Sequence, residues 1–327
     1  MARHRQVALP LFESGEPIPV FFNPSAGRGR AGHRLERLRN ALGAQVDLQP
    51  TNGPGHAETL AHEAASSGCK LVGAAGGDGT LHEVANGILR AERPDCSLVL
   101  FPAGSANDYA FSLGLAADWW EPESPAPTFR QVDVGEICAK GGKSRYFVNG
   151  AGIGLNGAVT FESRSIHGLQ GVSLYSVALL RALWRRYRFP PLTVEMDGLI
   201  KTNAPTLAFS AAIGKREGNF LLAPDAQVDD GLFDYLHAGG LRWWEVLRYL
   251  PGMIRGRLPD DHPAIRRGRC RTIQLAAEED LIIHVDGEMF SVPGEGVREV
   301  QIKMLAGRLP VYGRFAGDSS SMASLSK

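Results

Sequence analysis

The stretch that decides the fold is Leu71-Val72-Gly73-Ala74-Ala75-Gly76-Gly77-Asp78-Gly79-Thr80-Leu81-His82-Glu83-Val84-Ala85-Asn86-Gly87. The small and apolar run over 70–75 predicts a strand, and the apolar spacing over 81–89 predicts a helix. Between them, Gly76, Gly77 and Gly79 free the backbone to turn its amides toward an anion, and the start of the helix adds the positive end of its dipole. An aspartate inside such a cradle repels bare phosphate. Asp78 therefore makes sense if it holds Mg²⁺, carries a proton or meets a sugar or hydroxyl, and Mg-ATP suits it best. The plain structural alternative is a tight strand-to-helix turn with Asp78 as its cap.

Outward from this loop, 18–22, 44–48 and 98–101 also read as strands, and 28–42, 55–67 and 107–113 as helices. Such alternation predicts a parallel sheet covered on both faces, with ligands at the carboxyl ends of its strands. Pro102-Ala103-Gly104-Ser105-Ala106-Asn107-Asp108 repeats the arrangement one strand later, and Asn23-Pro24-Ser25-Ala26-Gly27 stands at a third strand end. Read singly, the second loop is a helix cap; together the three would surround one ligand.

Pro122, Pro125 and Pro127 break the alternation within 119–129, the best candidate for a linker. Beyond it, 131–139, 145–149, 192–196, 206–213, 232–237, 272–276, 281–285 and 297–304 read as strands separated by Gly and Asp-Gly turns. The expectation is an α/β nucleotide-binding domain over 1–128, a β-rich domain over 129–310 and a flexible tail over 311–327.

A length of 327 residues supports two cores. Lys plus Arg and Asp plus Glu each total 35, so no global basic field exists to hold nucleic acid. The four cysteines, Cys69, Cys96, Cys138 and Cys270, show no paired spacing, which suits a reducing cytosol and inert thiols. No secretory apolar segment follows Arg3, His4 and Arg5, and the longest apolar candidate, 173–184, is short and interrupted by Arg181, so no transmembrane segment is expected.

Other glycine patterns compete. Gly27-Arg28-Gly29-Arg30-Ala31-Gly32, with Asp47 after the next helix, and Gly152-Ile153-Gly154-Leu155-Asn156-Gly157 both match the dinucleotide spacing. In a chain with 39 glycines that spacing is cheap, and Asn23-Pro24-Ser25 separates the first from its strand. Gly142-Lys143-Ser144 lacks the earlier glycine of a phosphate-binding Walker loop, where Ile137 stands.

The ordered series resembles the diacylglycerol kinase catalytic-domain family, which takes in bacterial lipid kinases, sphingosine kinases and ceramide kinases and is distantly related to NAD kinases. It runs through Asn23 to Gly27, Thr51 with Gly55-His56-Ala57, Gly76 to Gly87, Pro102 to Ala110 and Val132-Asp133-Val134-Gly135. It continues with Asn149 to Gly154, Ala223-Pro224-Asp225-Ala226, Asp229-Asp230-Gly231 and Asp286-Gly287-Glu288. The resemblance implies an NAD kinase-like fold of two domains with the active site in the cleft between them. It implies ATP as co-substrate against Asn23, Pro24, Ser25, Thr51, Gly76, Gly77, Asp78, Gly79, Thr80, Leu81, His82, Glu83, Gly104, Ser105 and Asn107. Ser105 stands where threonine is usual, keeping the hydroxyl and losing a methyl.

Phosphoryl transfer also asks for Mg²⁺ and a carboxylate to take the proton of the attacking hydroxyl. The resemblance assigns that base to Asp286 or Glu288, with Asp78 beside the nucleotide; Asp-Gly is also an ordinary hairpin turn. It further implies a structural Mg²⁺ on Asp230 with the carbonyls of Gln227 and Leu232, where the plain alternative is a turn.

The resulting expectation is an ATP- and Mg²⁺-dependent kinase of diacylglycerol or a related lipid, active in phospholipid biosynthesis. It would be cytoplasmic and peripheral to the membrane, with homodimerisation left open. The basic aromatic segments 173–189 and 241–257 are its candidate membrane contacts. Alternatives are an NAD kinase-like phosphotransferase and a non-catalytic nucleotide- or lipid-binding module. Retention of Asp78, Glu83, Asp286 and Glu288 speaks against the latter.

Overall fold

The computed structural model describes residues 16–24, 30–93, 95–116, 118–121, 126–169, 171–259 and 261–316. The chain divides into two compact units, one made of the described residues through Val132 together with those from Arg308 onward, the other spanning Asp133–Gly307.

The first unit alternates β1 (Ile18–Phe22), α1 (Arg30–Leu42), β2 (Val46–Pro50), α2 (His56–Ser66), β3 (Leu71–Gly76), α3 (Asp78–Arg90), β4 (Ser97–Pro102) and α4 (Asp108–Leu113). Its strands are parallel in the order β2-β1-β3-β4. The chain steps from β1 to one side and then to the other, so the sheet order reverses between β1 and β3, where doubly wound sheets open a crevice for ligands. Every residue of β4 is buried, as in a strand covered on both faces. Helices α2 and α3 cross in contact at Gly87, where a Cβ would stand 2.4 Å from Glu58 O.

The second unit follows with β5 (Thr128–Ala139), which enters it at Asp133, β6 (Ser144–Phe147), β7 (Gly150–Gly154), α5 (Leu155–Ser163), α6 (Gly171–Arg186), β8 (Pro191–Met196), β9 (Ile200–Pro205), β10 (Ala208–Ala212) and β11 (Phe233–Ala238). It closes with α7 (Trp243–Ile254), β12 (Ile265–Cys270), β13 (Thr272–Ala277), β14 (Ile283–Val285), β15 (Glu288–Ser291) and β16 (Glu299–Gly313). One antiparallel sheet runs β12-β11-β10-β7-β14-β15. In another, β16, β13, β8 and β9 lie side by side, and β5 pairs with β16 and β6. Phe147 on β6 stacks with Phe233 on β11 at 5.8 Å, joining the two sheets through their side chains. Helices α5, α6 and α7 share an apolar cluster built on Leu155, Leu179, Leu183, Leu207, Leu241 and Val246.

Two expectations are corrected. The tail expected from residue 311 begins instead as structure: the end of β16 pairs in parallel with β4, Val311 beside Leu98, and Leu309, Val311, Tyr312 and Phe315 are buried in the first unit. Their alternating apolar pattern completes the sheet; 317–327 lie outside the described residues. The expected linker starts with core, because Trp119 and Trp120 are fully buried and Trp119 stacks on Phe101 at 5.5 Å. Bulky indoles outweigh the prolines after them. The pattern Gly152 to Gly157 opens a helix but leaves an antiparallel strand, so no strand-helix-strand unit for a dinucleotide forms. Its glycines are spaces for neighbours: a Cβ on Gly157 would meet Ile282 O at 2.3 Å.

Candidate active site

In the first unit, the loops after β3 and β4 are fastened to each other. The amides of Ala103 and Gly104 donate to Gly76 O at 2.8 and 3.1 Å. A Cβ on Gly104 would meet Gly77 Cα at 2.3 Å, so glycine is needed where the two loops touch. Asn107, left-handed at φ 51°, accepts from Gly104 N at 3.0 Å and donates to Gly104 O at 3.1 Å. Gly76, Gly77, Gly104 and Asn107 are thus brought together.

Asp78 is the first residue of α3, and its Oδ1 accepts from Tyr109 N in the first turn of α4 at 3.3 Å. The carboxylate therefore meets two helix starts, each a region of positive partial charge. That is how a negative group is tolerated in this glycine loop. Thr80 packs so closely on Gly76 that a Cβ there would lie 2.6 Å from its Oγ1. Thr51 N donates to Phe22 O at 2.8 Å, tying the ends of β1 and β2, and the threonine is buried. Ser105, Asn23 and Pro24 are exposed at loop tips, Gly79 is half-buried, and Ser25 lies outside the described residues.

Three residues expected to contact the nucleotide are engaged within the protein itself. Leu81 and His82 are buried along α3, and the His82 carbonyl takes a bond from Asn86. Glu83 caps α2: its carboxylate accepts from Gly55 N at 2.8 Å and Ala57 N at 3.0 Å. The sequence signalled an acid one turn into α3 but not the neighbouring helix start that it serves. Arg34, which no motif marked, donates to Pro102 O at 2.7 Å and holds a cation beside the β4 loop.

In the second unit, Asp286 and Gly287 form the two-residue turn between β14 and β15, with φ of 50° and 83°. This is the mirror-image turn that Asp-Gly favours. The Asp286 side chain does something further: Oδ2 accepts from Val148 N at 2.9 Å, and Oδ1 from Asn149 N at 2.8 Å and Gly150 N at 3.0 Å. Its oxygens are committed to holding the link between β6 and β7. The Glu288 side chain is 46% exposed and pairs with Arg164 at 3.1 Å, a partner the sequence did not mark.

The implied structural metal does not fit. Asp230 Oδ1 accepts from Leu232 N at 3.1 Å, and Oδ2 is paired with the Arg269 guanidinium. A cation of the protein's own already occupies the carboxylate that the metal would need. The turn is held instead by buried Asp133, which accepts from Gly231 N at 2.6 Å and Gly307 N at 2.8 Å. Among the described residues, no group of three or more His, Cys, Asp or Glu side chains is placed to hold a metal.

A reversing parallel sheet with fastened glycine loops, followed by a β-rich unit with an acid-bearing turn, defines the fold class of NAD kinases and diacylglycerol kinases. The diacylglycerol kinase catalytic domain profile matches residues 17–137, and the YegS C-terminal NAD kinase beta sandwich-like domain matches 150–306. The chain belongs to the diacylglycerol kinase catalytic-domain family.

It is 28% identical to a diacylglycerol kinase of Bacillus subtilis over 85% of this chain and 92% of that one. It is 27% identical to a diacylglycerol kinase of Staphylococcus saprophyticus over 82% and 88%. A crystal structure of a diacylglycerol kinase from Bacillus anthracis superposes with a TM-score of 0.64 at 20% identity over 91% of this chain and 97% of that chain. Yeast NADH kinase has the same fold at a TM-score of 0.51 and 10% identity, over 95% and 87%.

Proposed function

We propose that this protein is an ATP-dependent lipid kinase that moves the γ-phosphoryl group onto a hydroxyl of diacylglycerol or a related lipid. The observation that carries the reading is the fastened pair of glycine loops at adjacent strand ends, with Asp78 between two helix starts. Mg²⁺ enters with ATP as part of the substrate. The amides of the two loops and the starts of α3 and α4 receive the phosphates, and Arg34 adds positive charge beside them.

Glu288 takes the hydroxyl proton. Its carboxylate is open to solvent, whereas Asp286 is committed to three amides and holds the turn. As the acceptor oxygen bonds to the γ-phosphorus, the bond to the β,γ-bridging oxygen breaks and ADP leaves. Support for a lipid acceptor comes from the diacylglycerol kinases among the relatives, and from Leu180 and Trp184, exposed on α6 beside Arg181 and Arg185. No helix among the described residues is long and apolar enough to cross a membrane, so the lipid would be met at the bilayer surface.

The test incubates the purified protein with labelled ATP and Mg²⁺ over diacylglycerol, sphingosine, ceramide, phosphatidylglycerol and NAD. Label on a lipid, lost in Glu288→Gln with ATP binding retained, is the expected result. Label on NAD alone would establish the second reading, a nucleotide kinase, which the fold shared with yeast NADH kinase favours.

A further inference from the structure

His284 lies on β14, two residues before Asp286, and is completely buried. Its Nδ1 accepts the Gly287 amide at 3.3 Å, so in this arrangement the ring proton is on Nε2. Nε2 lies 2.8 Å from Glu217 Oε1. A buried imidazole with one nitrogen bonded to a turn amide and the other in close contact with a carboxylate, without a well-aligned hydrogen bond to it, is costly to assemble unless the surroundings hold both partners.

Glu217 is held firmly. It exchanges two backbone hydrogen bonds with Phe220, each 2.9 Å, and its loop is fastened to Asn149. Asn149 O accepts from Ile213 N at 2.9 Å and Gly214 N at 2.8 Å, and its side chain donates to Arg216 O at 2.7 Å. Asn149 N in turn donates to Asp286. The contacts close a ring: Asp286 to Asn149, Asn149 to the 213–217 loop, Glu217 to His284, and His284 to Gly287 beside Asp286.

We propose that His284, backed by Glu217, is a positioning residue that sets the Asp286-Gly287 turn and with it the direction in which Glu288 leaves the turn. The inference rests on the reading of Glu288 as proton acceptor. The turn is gripped on two sides: the Asp286 side chain fixes its first residue to the β6–β7 link, and the Gly287 amide fixes its second residue to the ring. A hairpin gripped through only one residue can pivot about it; gripped through both, it cannot. Displacing a reacting group by about 1 Å costs roughly 100-fold in rate.

The ring has two separable ends, and variants can keep one at a time. His284→Asn retains an acceptor near the Nδ1 position, while His284→Gln retains a donor near Nε2. The expected result is that His284→Gln and His284→Ala lower kcat on the lipid by roughly 100-fold with the KM for ATP unchanged, and His284→Asn by less than about 10-fold. Glu217→Ala, which leaves the buried Nε2 without its partner, lowers kcat in the same direction and Glu217→Gln restores most of it. That pair decides the matter if the His284 variants do not fold.

Wild-type kcat in folded His284→Gln or Glu217→Ala would overturn the inference, as would equal losses in His284→Asn and His284→Gln matched by equal losses of melting temperature. Hydrogen exchange at the Gly287 amide, read by NMR, needs no substrate. Faster exchange in His284→Gln with protection kept in His284→Asn upholds the positioning role even where the wild type transfers nothing, an outcome that removes only the proposed function. Unchanged exchange in both removes the inference.

Discussion

Gly104 and Glu83 stand in neighbouring motif stretches, were both marked for the nucleotide, and are expected to answer mutation in opposite ways. At Gly104 a methyl group would run into the Gly77 backbone, which has no rotamer to yield. Gly104→Ala must then part the two loops, at a cost of about 1–3 kcal/mol for such overpacking. The expected result is a raised KM for ATP of ten-fold or more, with lower stability in urea; an unchanged KM would mean that the loops do not bind the nucleotide. Glu83→Gln keeps an oxygen for one α2 amide and loses the charge at that helix start, a loss of about 1 kcal/mol. Its KM for ATP should stay within about two-fold of wild type, and a large rise would return Glu83 to the nucleotide. The sequence marked both residues for one role because a motif records that a residue type recurs at a place. Only packing tells whether it faces the ligand or the next helix. Asp286 makes the same point: Asp-Gly announced a turn, and nothing local announced that its carboxylate would reach back to three amides.

Among the elements, the strands of the first unit were legible because burial on both faces writes them as continuous apolar runs: 18–22 is observed as expected, and 70–75 and 98–101 shift by a residue at most at either end. In the second unit β7, β9, β12 and β15 were not read as strands. β7 is Gly-Ala-Gly-Ile-Gly and β12 carries Arg266, Arg267 and Arg269, so neither has the bulky apolar alternation that signals a half-buried strand. β12 is an edge strand, paired to β11 alone, and its three arginines are exposed, as an edge strand allows. β11 itself holds a titratable group in its buried face: His237 stands opposite Phe209 on β10, edge-on to its ring at 5.7 Å, with Nε2 2.8 Å from Thr206 Oγ1. Burial, and then Arg266, push its pKa below the ordinary value of 6.5. The unfolded chain takes up this proton near pH 6.5 and the folded chain only at lower pH. The stability that neutral His237 contributes is therefore complete above pH 6.5 and falls as the pH drops below it, by at most about 1.4 kcal/mol per pH unit. Urea midpoints measured between pH 7.5 and 5.5 should drop further, or rise less, on acidification in the wild type than in His237→Gln.

At the scale of the whole molecule, the chain builds the first unit from two separated pieces. It leaves that unit along β5 after Val132 and returns to it along β16 at Arg308. Val311 to Ala316 look expendable in sequence, a short apolar run before a polar end, and that is why they were read as the start of a tail. In the fold they supply the fifth parallel strand: Val311 and Tyr312 pair with Leu98 and Val99, and Tyr312 meets Trp119 edge-on at 5.8 Å. Leu115 and Phe315 add a bridge, and Ala316 N donates to Gly114 O at 2.7 Å. Ending the chain at Gly307 would strip this strand from β4, whose far end carries the loop with Gly104. Burying Leu309, Val311, Tyr312 and Phe315 is worth roughly 1.5–3 kcal/mol for each side chain, of the same order as the whole stability of a domain. The truncated protein should lose the near-ultraviolet signal of buried Trp119 and Trp120 and its affinity for ATP. The second unit should keep its melting transition, since its Asp133 clamp on Gly231 and Gly307 remains within the shortened chain. Retained ATP affinity in the truncated chain would mean that the nucleotide loops stand without the returning strand.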